Sequence, residues 1–174
     1  MTKKIAIPEV KFILILCIIV ITTSCSTNLF VVNSKISKID TSKEFIIIQN
    51  PQSKFFSVGA YPSYKVIDQY VFASKPSFQR IDSLIYKELV KNNIRCRISN
   101  DGSLSTNENV FYIKYQDYWS WDFKNYMHLL ILTLCDNLGN ELSEYVSQGN
   151  TAGVHDYPMP GRQVPKLVDL MLKK

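Results

Sequence analysis

The stretch that decides the fold is residues 110–147, VFYIKYQDYWSWDFKNYMHLLILTLCDNLGNELSEYVS. Residues 110–116 and 125–135 within it are rich in β-branched, aromatic and other apolar side chains, which predicts two strands with residues 118–122 (YWSWD) as the connection between them. Residues 136–140 (DNLGN) predict a hairpin loop whose glycine adopts a positive φ, and residues 141–147 predict its partner strand. We therefore expect several strands that follow one another along the chain.

Upstream of this stretch the sequence predicts a strand, a helix and another strand. Residues 44–49 (EFIIIQ) are a continuous apolar run that ends at Asn50-Pro51, which is typical of a strand buried on both faces. Residues 74–77 (SKPS) predict the start of a helix that continues to residue 91, and residues 94–98 alternate as a strand. The final helix has one apolar stripe, made of Val164, Leu167, Val168, Met171 and Leu172.

This order of elements predicts an α/β fold of the α+β type. A helix between two strands indicates a crossover and one parallel pair, whereas the later hairpins add antiparallel strands. The two amphipathic helices are expected to cover one face of a mixed, mostly antiparallel sheet, which gives a two-layer sandwich. With 174 residues, of which 46% are hydrophobic, the chain is long enough for one such domain and too short for two of ordinary size.

The N-terminus has the pattern of an export signal. Three lysines and one glutamate lie ahead of residues 12–21 (FILILCIIVI), an unbroken apolar run, and small residues follow at 22–24. A bilayer-spanning helix needs about 20 apolar residues, which is twice the length of this run. We therefore expect residues 1–24 to be a signal peptide rather than a permanent transmembrane anchor.

Residues 21–25 (ITTSC) resemble the lipobox of bacterial lipoproteins. The resemblance implies cleavage before Cys25, a diacylglyceryl thioether on its sulfur and an acylated amine, with palmitate among the acyl chains. Thr22 stands where the commonest lipobox has Leu. Cleavage elsewhere would instead leave Cys25 as an ordinary thiol.

The lipoprotein resemblance also implies a place in the cell. Ser26 follows the cysteine, where lipoproteins retained at an inner membrane have Asp. We therefore expect a lipid anchor in the outer membrane, with the protein facing the periplasm. Residues 25–43 are then the lipidated cysteine and a polar tether, in which residues 29–32 could form a short strand. Residues 44–174 are the expected globular domain.

Composition and motifs argue against several classes of function. Residues 1–24 contain three Lys and one Glu, so their removal lowers the net charge from +5 to +3. The remaining basic residues are scattered along the chain, which argues against nucleic-acid binding. The sequence has no metal-binding, phosphate-binding or nucleophile motif. We therefore predict no catalytic residue, no metal ion and no cofactor, and a protein that is not an enzyme.

An envelope hydrolase is the alternative that the sequence leaves open. Asp117 and Asp122 bracket two tryptophans, as carboxylates do at sugar-cleaving sites, and His155 lies in a loop rich in Gly and Pro. The alternative requires these three side chains to converge in one pocket. The second histidine, His128, is expected to pack within an apolar strand.

Cys96 and Cys135 are the two thiols that follow the anchor, and both lie at ends of predicted strands. Outside the cytoplasm such a pair can oxidise to a disulfide. Cysteine is also among the residues most often buried as a free thiol. The sequence is compatible with both states.

Three segments are candidate contact surfaces for a partner protein, because exposed aromatic side chains and irregular loops are common at interfaces. They are residues 55–72 with six aromatic side chains, residues 118–123 with Tyr118, Trp119 and Trp121, and residues 149–161 with His155. Within the first segment, residues 66–72 could form a short strand. Burial tendencies favour packing of the aromatics of residues 55–72 on the edge of the core over their use as a binding surface. A sheet edge is a further candidate, since it can accept a strand from a partner.

The layout of residues 44–174 resembles small outer-membrane lipoproteins of a domain-of-unknown-function type. The similarity includes the aromatic segment 115–121 (YQDYWSW), the apolar strand 129–134 and the glycine-containing turn that follows. The layout is also similar to the lipoprotein subunit of the lipopolysaccharide-export translocon. These resemblances imply a lipid-anchored, non-catalytic binding or assembly module that meets another envelope protein, and they supply no catalytic residue.

Overall fold

A computed structural model describes residues 27–56, 64–69, 72–77, 79–104, 107–122, 124–149 and 159–173. These ranges contain a mixed sheet of eight strands, two α-helices and a 3₁₀ helix (Tyr64–Gln69). The strands are β1 (Thr27–Val32), β2 (Glu44–Ile48), β3 (Gln52–Phe56), β4 (Phe72–Pro76), β5 (Cys96–Ser99), β6 (Val110–Asp122), β7 (Lys124–Cys135) and β8 (Glu141–Gly149). The helices are α1 (Ile81–Lys91) and α2 (Pro160–Leu172).

The long strand β6 is the centre of the sheet. The main order of strands is β1-β8-β7-β6-β2-β5. β2 and β3 pair with successive parts of the same edge of β6, and β4 pairs with the outer side of β3. β6 runs antiparallel to β7 and parallel to both β2 and β3, while β1–β8, β7–β8 and β3–β4 are antiparallel pairs. The predicted mixed, mostly antiparallel sheet is confirmed, but it has three parallel pairs, β2–β5, β2–β6 and β3–β6, where one was predicted.

Both α-helices pack on one face of this sheet, as the two apolar stripes predict. α1 buries Ile81, Ile85 and Leu89 in the same core cluster to which α2 contributes its buried stripe. Phe45 and Ile47 of β2 belong to this cluster, and Ile46 between them is buried on the opposite face. The strand buried on both faces that is predicted at residues 44–49 is therefore confirmed at Glu44–Ile48, and so is the two-layer α+β architecture. None of the helices in the described ranges is long and apolar enough to cross a bilayer.

The segment between β3 and α1 differs from the prediction. Residues 74–77 do not begin a helix, because residues 72–76 form β4, which pairs with β3 along its whole length. α1 instead begins at Ile81. Pro76 is tolerated as the last residue of β4, since an edge strand needs no second set of backbone hydrogen bonds. Of residues 66–72, predicted as a strand, 66–69 belong to the 3₁₀ helix and Phe72 begins β4, whereas 70–71 lie outside the described ranges.

The polar segment that precedes β2 is part of the packed structure. β1 pairs with β8 over six residues, which agrees with the short strand considered at 29–32, and Ile39 is buried in the main core. Gln163 on α2 donates a hydrogen bond from Nε2 to Thr27 Oγ1 (3.1 Å) and accepts one from Ser147 Oγ (3.0 Å). The packed unit therefore includes Thr27, and the segment predicted as a tether contributes a strand to the sheet.

Truncation of the helical layer should destabilise the whole sheet, because both helices share one core with it. Leu167→Ala removes a fully buried side chain of α2, so we expect the free energy of unfolding to fall by about 2–5 kcal/mol. The matched control is Leu138→Ala, at a leucine that is 68% exposed, and we expect a change within about 0.5 kcal/mol. Urea unfolding followed by circular dichroism measures both, and equal losses in the two variants would contradict the assignment of α2 to the core.

Candidate functional site at one end of the sheet

The directions of the strands bring the three candidate contact segments to one end of the sheet. β6 ends and β7 begins at the Asp122–Lys124 pair, and β3, parallel to β6, ends beside Trp119. β8 ends at Gly149, next to the start of β1 at Thr27. We call this end of the sheet, where the β6–β7 hairpin turns, the hairpin end. The connections 57–71 and 150–158 both leave from it, although residues 57–63, 70–71 and 150–158 lie outside the described ranges.

An aromatic cluster covers the sheet at the hairpin end, on the face opposite the α-helices. The ring of Phe56 lies 5.0 Å from that of Phe72, 5.9 Å from Tyr118 and 6.0 Å from His128, measured between centroids. The Nζ of Lys54 lies 5.4 Å from the Phe72 and Tyr118 rings, which is within cation–π range. The expectation that aromatics of residues 55–72 fold onto the core is met by Phe56, which is buried.

A β-bulge places His128 in this aromatic cluster. The ladder between β6 and β7 steps from the Tyr118–Leu129 pair to the Trp119–Met127 pair, so His128 is the extra residue of β7. Its ring is buried and meets Phe56 edge to face. The prediction of a packed histidine is confirmed.

Asp117 is a fully buried carboxylate on the helix-covered face of β6. Its Oδ2 accepts hydrogen bonds from Ser53 Oγ (2.5 Å) and from Trp119 Nε1 (2.6 Å), whereas no described group hydrogen-bonds its Oδ1. Burial raises the pKa of the Asp117 carboxyl above its usual range, and the two donated hydrogen bonds oppose that rise. The group therefore joins β3 to β6 inside the core instead of facing a substrate.

Asn50, at the break between β2 and β3, extends the polar contacts around Asp117. The Tyr115 hydroxyl accepts a hydrogen bond from Asn50 N (3.1 Å), and burial raises the pKa of Tyr115 to about 12. Sequence reasoning missed these structural roles. The available signal was the alternation of Tyr115, Asp117 and Trp119, which places a carboxylate on the same strand face as two large aromatics.

The two aspartates of the hydrolase alternative do not form a catalytic pair. Asp117 and Asp122 lie five residues apart on the continuous strand β6, which separates their Cα atoms by about 16 Å. Paired carboxylates in glycosidases lie about 5–10 Å apart, and Asp117 is enclosed in the core. His155 lies outside the described residues.

Two of the aromatic residues predicted as a partner surface lie in the core. Tyr118 and Trp119 are buried, with Trp119 only 2% exposed, so they serve the core and offer no contact surface. Residues 118–122, predicted as a connection, are the last part of β6, and Trp121 pairs with Asn125 one step before the turn. The side chain of Trp121 and the whole of Cys25 lie outside what the structure describes.

Cys96 and Cys135 are both free thiols, so the disulfide considered from the sequence is not formed. They lie on β5 and β7, with β2 and β6 between these strands. Three inter-strand steps amount to about 14 Å, twice the reach of a disulfide. Burial raises the pKa of both thiols, which favours their protonated form.

Among the described residues, the opposite end of the sheet has an open depression. Its volume is about 330 Å³, and it is lined by Asn33, Ser34, Lys35, Glu141, Ser143 and Glu144. Within the described ranges, no group of three or more His, Cys, Asp or Glu side chains is placed to hold a metal ion. The two hydroxyls in its lining, those of Ser34 and Ser143, hydrogen-bond each other at 3.1 Å.

Comparison with known proteins gives little guidance. No family model and no curated protein matches the chain. Among solved structures, a dodecamer of a PelC variant from Paraburkholderia phytofirmans matches with a TM-score of 0.47 and 8% sequence identity, over 83% of this chain and 96% of that chain. A similarity this distant establishes neither a family nor a function.

The buried carboxyl of Asp117 should make stability depend on pH. Folding raises the pKa of the Asp117 carboxyl from the ordinary 3.8. The contribution of this carboxyl to the stability of the fold is therefore complete at low pH and is lost as the pH rises through the folded-state pKa. We expect the neutral variant Asp117→Asn to become more stable relative to the wild type between pH 4 and pH 7, measured as the free energy of unfolding in urea.

The control for this prediction is Asp101→Asn, which should show the opposite trend. Hydrogen bonds from Ser99 and Ser103 lower the pKa of the exposed Asp101 carboxyl below 3.8, so the wild type gains stability relative to this variant as the pH rises to about 4, and the difference then stays constant up to pH 7. A difference between wild type and Asp117→Asn that does not change with pH would contradict the buried titration.

Proposed function

We propose that the chain is a lipid-anchored envelope protein, processed before Cys25, that serves as a non-catalytic binding or assembly module at the outer membrane and faces the periplasm. The observation that carries the proposal is the position of Thr27. This residue, two places after Cys25, begins β1 at the hairpin end, from which the three candidate contact segments leave. The anchor and the contact segments therefore belong to the same end of the domain.

The short distance between the anchor and the fold supports this arrangement. Two residues span at most about 7 Å, so acyl chains on Cys25 hold the hairpin end close to the lipid headgroups. Two or three chains give stable attachment, whereas one alone is marginal. Confinement to this thin layer raises the effective concentration of the module toward a partner in the same membrane.

The arrangement of the polar groups favours a binding role over catalysis. Of the three side chains in the hydrolase alternative, Asp117 is used inside the core and stands too far from Asp122 for paired chemistry. The partner we propose is another envelope protein. It would meet the connections 57–71 and 150–158, because Tyr118 and Trp119 are buried.

Loss of the anchor should release the protein from the membrane. We expect Cys25→Ala to shift the protein from the membrane fraction to the soluble fraction, or to block its processing, because no sulfur remains for the diacylglyceryl group. Cys17→Ala is the matched control, since it removes a cysteine of the apolar run and should leave the fractionation unchanged. Mass spectrometry of the native N-terminus reads the acyl chains directly.

Two results would contradict the proposed function. One is a native chain that carries an unmodified Cys25. The other is membrane attachment that survives in Cys25→Ala with the mature N-terminus intact.

A further inference from the structure

We propose that the tip of the β6–β7 hairpin is a second membrane contact, which touches the lipid interface beside the acyl anchor. The tip is defined by the last two pairs of the ladder, Trp121–Asn125 and Asp122–Lys124. This inference rests on the proposed lipidation of Cys25. Its ligand is a lipid surface.

The strand register shows that the tip extends beyond the start of β1. Thr27 lies opposite Gly149 at the end of β8, and Leu129 of β7 lies opposite Gln148. Thr27 is therefore level with the residue before Leu129. Because His128 is the extra residue of the bulge, three steps of the ladder lie between the Trp119–Met127 pair at that level and the final Asp122–Lys124 pair, and they amount to about 10 Å.

This overhang is longer than the tether that joins the fold to the lipid. The two residue steps from Thr27 to Cys25 reach at most about 7 Å, whereas the tip extends about 10 Å in the direction of the hairpin end. β1 and β7 are separated only by β8, so the anchor and the hairpin stand about 10 Å apart sideways. When the strands are perpendicular to the membrane plane, the tip reaches the bilayer before the tether is fully extended.

The residues at the tip are suited to the interface rather than to the bilayer core. Tryptophan concentrates at the headgroup level, where its ring is apolar and its N–H finds polar partners. Asp122 and Lys124 form the final pair next to Trp121, and such charges favour a shallow position. The tip would therefore fix the orientation of the domain, while the acyl chains supply most of the affinity.

The chain offers a direct optical test, because its two tryptophans occupy different positions along β6. Trp119 is buried and hydrogen-bonded to Asp117, whereas Trp121 lies at the tip. The full-length protein, purified from membranes, is reconstituted into phosphatidylcholine vesicles with or without bromine on the upper part of the acyl chains. We expect brominated lipid to quench part of the emission, and Trp121→Phe to abolish this quenching while Trp119 continues to report a folded core.

A second variant tests the orientation from the opposite end. Leu138 lies in the exposed turn between β7 and β8, and the length of β7 places it about 40 Å from the tip. In the Trp121→Phe background, Leu138→Trp should give an emission that brominated lipid does not quench. Quenching at Leu138→Trp as strong as that at Trp121 would overturn the inference, because the domain would then lie flat on the membrane.

Mass spectrometry of the same sample separates this inference from the proposed function. Acylated protein with no quenching of Trp121 overturns the membrane contact and leaves the lipid anchor intact. Protein without acyl chains overturns the proposed function and, with it, the contact that depends on it.

Discussion

The structure depends on the requirement that both edges of β6 be hydrogen-bonded, since an unpaired buried backbone group costs about as much as a lost hydrogen bond. β7 pairs one edge along its length, but the other edge is divided between β2 and β3. Asn50 lies between these two strands, where its Nδ2 donates to Tyr115 O at 3.3 Å and to Gln116 Oε1 at 3.4 Å. A side-chain amide thus supplies a donor where the neighbouring strand is interrupted.

The local patterns predicted the elements that bury one continuous apolar surface. The run at residues 44–48, the stripe of α2 and the positive φ of Gly139 (85°) all follow from side-chain periodicity or from turn chemistry. β4 was wrongly expected to start a helix because its residues after Phe72 are exposed on an edge, so they show no alternation of apolar and polar side chains. The end of β6 was expected to be a connection because Asp117 and Ser120 interrupt its apolar character.

The gathering of the candidate segments at one end could not be predicted from spacing alone. It depends on β3 running parallel to β6, a long-range pairing of only two residues, Lys54–Tyr118 and Phe55–Trp119. The interior hydrogen bonds that accompany this pairing connect residues more than sixty positions apart, as in the Ser53–Asp117 contact. The sequence therefore indicated which segments were unusual, but their common location follows from strand direction.

The pairing of β1 with β8 matters for any shortened version of this protein. A fragment that begins at Glu44, the boundary suggested by composition, would lack β1 and the buried Ile39. β8 would then become an outer strand whose residues 144–149 present unsatisfied backbone groups to the solvent, and such edges recruit strands from other molecules. Aggregation of that fragment would reflect the missing strand and would say nothing about the solubility of the intact polypeptide.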